Sequence, residues 1–236
     1  MAPTVAIMQP YVFPYLGYFS LLEASDVFVV YDDVNYIPRG WINRNRLLIN
    51  GAEYTFTIPV ANASQNDLIY EVRLHGYAGF RQKFLRQVRL AYGRAAAFDA
   101  GFSYVEAVMT EGRETISEIA IASIEQAVKL LGLDKRIVRS SAVASESRGM
   151  ERAERLIAIT NAFGSASYVN AMGGTALYDK RYFLERGVTL SFLRPRLREY
   201  PQVRTGGFVP GLSIIDVLMN NPSELVVEMF KDYELV

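Results

Sequence analysis

The segment `VAIMQPYVFPYLGYFSLLEASDVFVVYDDVNY`, residues 5–36, decides the fold. `TVAIMQ` (4–9) is small, branched and apolar, and Pro10 stops it, so it is expected to be a short buried strand. `GYFSLLEAS` (17–25) has the spacing of a helix that turns Phe19, Leu21, Leu22 and Ala24 inward. `DVFVVYDD` (26–33) is continuously apolar until it meets two aspartates, which predicts a strand in a sheet covered on both faces. Strand, short helix, strand is the opening of a parallel α/β sheet.

Outward from that unit, `INRNRLLINGAEYTFTIPV` (42–60) predicts a β-hairpin turning at Asn50-Gly51. `IYEVRL` (69–74) is expected to be a strand, and residues 78–133 a helical segment that serves as an insertion or a cover. The last third alternates again. A strand at 136–141 ends in Ser140 and Ser141, and a helix covers 149–164. A strand over 165–174 runs into Gly173-Gly174, a helix follows at 175–187, and a strand at 188–193. `SIIDVLMNN` (213–221) predicts a helix with Ser213 as its N-cap. The expectation is a single α/β domain over 1–236, with a parallel, Rossmann-like sheet, a β-hairpin and a helical cover mid-chain.

Composition narrows the chemistry. The 236 residues include no cysteine and one histidine, so thiol catalysis and thiolate metal sites are excluded. A serine–histidine triad would have to use His75, which sits in a loop. Lys plus Arg and Asp plus Glu number 25 each, and the zero net charge gives nucleic acid no basic footprint. No apolar run reaches the ~20 residues that span a bilayer, and, with no basic stretch leading into an apolar one at the start, no secretory signal is expected. No membrane association is expected, and the cytoplasm is the expected location.

Ligands of open parallel sheets bind beyond the carboxyl ends of the strands. The first strand presents Gln9 and Pro10 there, the second Asp32, Asp33 and Tyr36, the third Ser140 and Ser141, and the fourth Asn170, Gly173 and Gly174. Adjacent aspartates cannot face one side of a strand, so one is expected toward the cleft and one toward backbone donors or an arginine. Their chemical roles would be magnesium ligand, general base, or partner of an amine or sugar hydroxyl; the structural alternative is a strand-end cap. `RGWINRNR` (39–46) sets Trp41 beside Arg39, Arg44 and Arg46, a pattern suited to phosphate or carboxylate or simply to a solvated hairpin. Gly173-Gly174 forms either a phosphate-approaching turn or a plain tight turn. `EYPQVRTGG` (199–207) supplies Tyr200, Gln202 and Arg204, and Asp216 within an apolar helix calls for a partner, with a structural salt bridge expected.

Together, `QPYVFPYLGYF`, `DVFVVYDDVNY`, `GWINRNRLL`, `TIPV`, `RLIAI`, `YVNAMGGTALY`, `EYPQ` and `FVPGLSIIDVLMNN` resemble the WbqC-like family along the whole chain. The resemblance implies group transfer to an amine or sugar-nucleotide amine in O-antigen, other bacterial glycan, or specialised-metabolite biosynthesis. It carries over Gln9, Pro10, Gly17, Tyr18, Asp32, Asp33, Trp41, Arg44, Gly173, Gly174, Tyr178, Gln202 and Asp216, with Asp32, Asp33 and Tyr18 as the catalytic candidates and Tyr36 and Asn170 as further binding candidates. The opening also resembles, more distantly, HIGH-type nucleotidylyltransferases, which implies a HUP-like sheet and an ATP- and magnesium-dependent alternative. Here Gly17-Tyr18 stands where that family has glycine-histidine, and a tyrosine offers no cation. The expected ligands are a small amine or sugar nucleotide and an activated acyl or aminoacyl donor, with a nucleotide and magnesium as the cofactor alternative. A non-catalytic sugar-nucleotide-binding partner is the third expectation.

Overall fold

The computed structural model describes residues 2–203 and 205–236; Arg204 lies outside them. The opening unit forms as its pattern predicts: β1 (Thr4–Met8), α1 (Leu16–Glu23) and β2 (Val27–Val30), with β1 and β2 parallel and Val5 opposite Val27. β3 (Arg44–Ile49) and β4 (Ala52–Thr57) make the antiparallel hairpin. Asn50 and Gly51 both take positive φ, 53° and 79°, as a tight two-residue hairpin turn requires. Then come α2 (Tyr77–Tyr92), α3 (Phe98–Val108) and α4 (Ile116–Leu130). β5 (Arg136–Arg139) runs directly into the short α5 (Ser140–Val143), followed by α6 (Arg152–Ala162), β6 (Ser167–Ala171) and α7 (Lys180–Leu184). β7 (Thr189–Pro195), α8 (Ile214–Asn220), α9 (Ser223–Phe230) and β8 (Tyr233–Leu235) complete the chain.

Among the described residues the main sheet has the order β5-β2-β1-β6-β7-β8. All its pairings are parallel except the last, β7 with β8. With the hairpin set aside, the strands follow the doubly wound order 3-2-1-4-5-6, so the chain reverses its direction of travel between β1 and β6. Alternation along the strands divides the core in two. Ala6, Phe28 and Val30 face α1, α9, the α2–α4 segment and the hairpin. Val5, Ile7, Val27 and Val29 face α6 and α7 through Leu156, Ile159 and Phe183. Strands covered on both faces lose their polar positions, which explains the unbroken `VFVV` of β2.

Three local expectations are corrected. Residues 69–74 are not a strand: Ile69–Glu71 form a 3-10 turn, and the amides of Ile69 and Tyr70 donate to the carbonyls of Val34 and Asp32 instead of to a ladder. The helix expected over 175–187 is interrupted. Met172–Ala176 form a 3-10 turn whose Gly174 carbonyl accepts from Leu177 and Tyr178, and α7 starts only at Lys180, capped by Asp179. The final α9 and β8, which sequence spacing left unassigned, close the far edge of the sheet.

Candidate active site

The reversal between β1 and β6 opens a cleft of about 810 Å³, within the range of small-molecule sites. Its floor is the carboxyl end of the sheet: Gln9 after β1, Tyr31 and Asp33 after β2, and Asn170 and Ala171 at the end of β6. Gly173 and Gly174 from the 3-10 turn, with Tyr178 just after it, form one wall, and Arg148 from the loop before α6 with Arg152 and Arg155 from its first turn form the other. Gly174 must lack a side chain. A Cβ there would stand 2.5 Å from Asn170 Nδ2 and 3.2 Å from the Phe192 ring.

β2 ends at Val30, so Asp32 and Asp33 lie past the pleat and are free to diverge. Both are 1% exposed. Asp33 Oδ2 accepts from Arg155 Nη2 at 2.6 Å and lies 3.4 Å from Arg148 Nε, while its Oδ1 accepts from Ser140 Oγ. Arg155 is itself buried. Its Nε donates to Ser147 Oγ at 3.2 Å, and its guanidinium sits 4.8 Å from the Tyr31 ring. Asp32 turns the other way: Oδ1 accepts the Ser141 amide at 3.1 Å and Oδ2 the Ser141 hydroxyl at 2.9 Å. The two carboxylates diverge, and the aspartate on the cleft side, Asp33, is also the one held by arginine.

Electrostatics favour an anionic guest. Against the one carboxylate of Asp33 stand three guanidiniums, and Arg152 has no hydrogen-bond or ion-pair partner among the described residues. Tyr11, Tyr31, Tyr168 and Tyr178 also line the cleft. Burial pushes each of these phenols up, with Arg155 opposing at Tyr31 and Arg152 at Tyr178, so all four stay neutral at physiological pH and offer hydroxyl donors and ring faces. Asn170 Oδ1 accepts the Ala171 amide, which leaves its Nδ2 as a donor. Among the described residues no three His, Cys, Asp or Glu side chains gather to hold a metal. Ser140, Arg148 and Arg155 hold the Asp33 carboxylate, and Ser140 and Ser141 hold that of Asp32.

Of the sequence candidates, Gln9, Asp33, Asn170, Gly173, Gly174 and Tyr178 meet at the cleft. Others lie elsewhere. Tyr18 is in the core of α1, where its hydroxyl donates to the Gln9 carbonyl at 3.0 Å, and burial drives its pKa well up. It supports the floor of the cleft without lining it. Pro10 and Gly17 are buried beside it. Tyr36 is buried, and its amide donates to the Asp67 carbonyl. Trp41, in the loop leading into β3, sits by Arg44 at the start of that strand, 5.4 Å from guanidinium to ring, away from the cleft wall. His75 is exposed on a loop. Asp216 is fully buried, and its partners are not the expected salt bridge but three neutral donors: Tyr92 and Tyr200 hydroxyls, each at 2.8 Å, and the Gln202 amide at 3.0 Å. That network ties α8 to α2 and to the 200–209 segment and has its own interior. Sequence inspection missed Arg148, Arg152 and Arg155, whose clearest signal is the i, i+3 pair in `ERAER`. Among the described residues no helix is long and apolar enough to cross a membrane.

The chain is 28% identical over 223 residues to the Mycobacterium tuberculosis (strain ATCC 25618 / H37Rv) protein named "uncharacterized protein Rv1507c", covering 93% of this chain and 94% of that one. The WbqC-like protein family profile matches residues 9–228 and so spans β2, α6 and β6, from which the cleft is built. The chain belongs to the WbqC-like protein family.

Proposed function

We propose that the protein is a transferase that joins an activated acyl or aminoacyl group to the amine of a small molecule or sugar nucleotide, in the cytoplasmic stage of bacterial glycan or specialised-metabolite assembly. One observation carries this: a nucleotide-sized cleft at the switch point of a doubly wound sheet, with unpartnered Arg152 and half-exposed Arg148 over it. Guanidiniums in that position bind the phosphate or carboxylate of a charged substrate through two parallel hydrogen bonds. The tyrosine rings accept a planar or sugar moiety, and Gln9, Asn170 Nδ2 and the glycine turn supply neutral hydrogen bonds.

In the transfer, the amine nitrogen bonds to the acyl carbon, and the bond from that carbon to the leaving oxygen or sulfur breaks. The amine proton passes to the departing anion or to water. Asp32 and Asp33 are each 1% exposed and tied to neighbouring side chains. They act through the groups they hold: Asp33 fixes Arg155 and Arg148, and Asp32 fixes Ser141.

The test is calorimetric titration of the purified chain with nucleotides, sugar nucleotides and acyl-coenzyme A, followed by mass spectrometry of amino-sugar nucleotide mixed with each donor. Arg152→Ala should weaken binding about 10- to 100-fold, the value of one charged hydrogen bond, at unchanged thermal stability. Absence of binding by every phosphate-bearing probe refutes the proposal.

A further inference from the structure

The two consecutive aspartates face two different cavities. Beyond Asp32, on the side of β5 and α4, lies a second hollow of about 300 Å³. It is lined by Asp32, Tyr70, Ser117, Arg139, Ser141 and Arg148, so Arg148 and the aspartate pair form the partition between it and the main cleft. We infer that this hollow binds a small amino acid-like zwitterion.

The charges decide the class. The Arg139 side chain has no hydrogen-bond or ion-pair partner among the described residues, so it is available for a carboxylate. Glu118 also borders the hollow, but its Oε2 is used at the start of α4, accepting the amides of Glu114 and Thr115. Asp32 Oδ2 accepts one hydrogen bond, from Ser141 Oγ, and keeps a lone pair for an ammonium. Ser117 Oγ is buried with no hydrogen-bond partner among the described residues, a cost that a bound polar molecule removes. An inorganic anion would satisfy Arg139 but face the Asp32 carboxylate, and a simple amine would satisfy Asp32 but face Arg139. A molecule carrying both charges a few ångströms apart meets both, and the volume limits it to the size of a small amino acid. The inference rests on the proposed transfer only in that this molecule becomes the acceptor, its amine held one side chain away from the donor cleft.

Glycine, L-alanine and L-serine, with acetate, methylammonium and inorganic phosphate as partial mimics, are titrated into the full chain by calorimetry and by ligand-observed NMR. The expected result is saturable binding of at least one amino acid, with a dissociation constant below ~10 mM and tighter than for any partial mimic. Arg139→Ala should weaken it at least tenfold, while nucleotide binding in the main cleft stays unchanged. Failure of all three amino acids to saturate, tighter binding of phosphate, or an indifferent Arg139→Ala overturns the inference. Arg139 is exposed, so its removal leaves folding intact. Binding of nucleotides to the main cleft is read separately, and its failure counts against the transfer proposal while leaving the amino-acid result standing.

Discussion

Replacing Arg155 by methionine should destabilise the protein by about 3 kcal/mol. Arg155 and Asp33 are both buried, and their closest atoms are 2.6 Å apart. With charge centres ~4 Å apart and an effective dielectric of ~20, their attraction is about 4 kcal/mol. Removing one partner of such a pair costs ~3–5 kcal/mol because the other is left charged and desolvated. The low end applies here because Asp33 retains Ser140 Oγ and Arg148, the latter at 3.4 Å. For a chain of this length, that is about 6–12 °C in melting temperature. The assay is urea unfolding followed by far-UV circular dichroism, since the single tryptophan, Trp41, is 42% exposed and reports poorly on the core. The double change Asp33→Asn with Arg155→Met should cost at least ~1 kcal/mol less than the sum of the single changes, because no charge is then stranded. A loss below ~1 kcal/mol for Arg155→Met, or strict additivity, would refute the view that this pair organises the cleft.

Further outcomes follow from the same geometry. Gly174→Ala should cost ~1–3 kcal/mol and displace Asn170, whereas Gly173→Ala, with open space around its Cβ, should leave the melting temperature unchanged. Tyr92→Phe removes a hydroxyl that donates to Asp216 and accepts the Leu48 amide, and should cost ~1–3 kcal/mol by chemical denaturation. Burial raises the Asp216 carboxyl above its ordinary value of 3.8, with its three donors opposing. The folded chain therefore keeps that proton where the unfolded chain has released it, so this contribution to stability is complete below 3.8 and is lost as pH rises through the raised folded-state value. Asp216→Asn should flatten that part of the urea-midpoint profile; a profile unchanged from the parent would count against a buried, titrating Asp216.

Much of the sheet was legible because its strands are short, apolar and punctuated. Pro10 ends one, the aspartates another and Gly173-Gly174 a third, so the strand-end rule gathered Gln9, Asp33, Asn170 and the glycine turn at the cleft without any structure. Periodicity was weaker elsewhere. `IYEVRL` alternates like a strand, but its amides are captured by the loop leaving β2, a long-range contact invisible in sequence. Trp41 with Arg44, and Gln202 with Asp216, look chemically competent on paper. The first pair stacks on itself at the entry to the hairpin, and the second satisfies itself in the interior. The arginines of `RGMERAER` carry no strand-end signal of their own, since they sit at and before the start of a helix. Only the crossover through α6 into β6 turns their start toward the strand ends.

The position of the hairpin and of α2–α4 between β2 and β5 has a kinetic consequence. β1 and β2 are joined through α1 alone, whereas β5 reaches β2 only after residues 31–135 have been laid down. Closing that longer loop costs ~1.5 kcal/mol more in chain entropy, so the first strand pair can form early and the edge of the sheet late. Among the described residues, the groups that hydrogen-bond or ion-pair with the Asp32 and Asp33 carboxylates (Ser140, Ser141, Arg148 and Arg155) all lie beyond that loop. During synthesis the two carboxylates therefore emerge solvated and remain so until the second half of the chain arrives, and the candidate site takes shape as one of the last steps of folding.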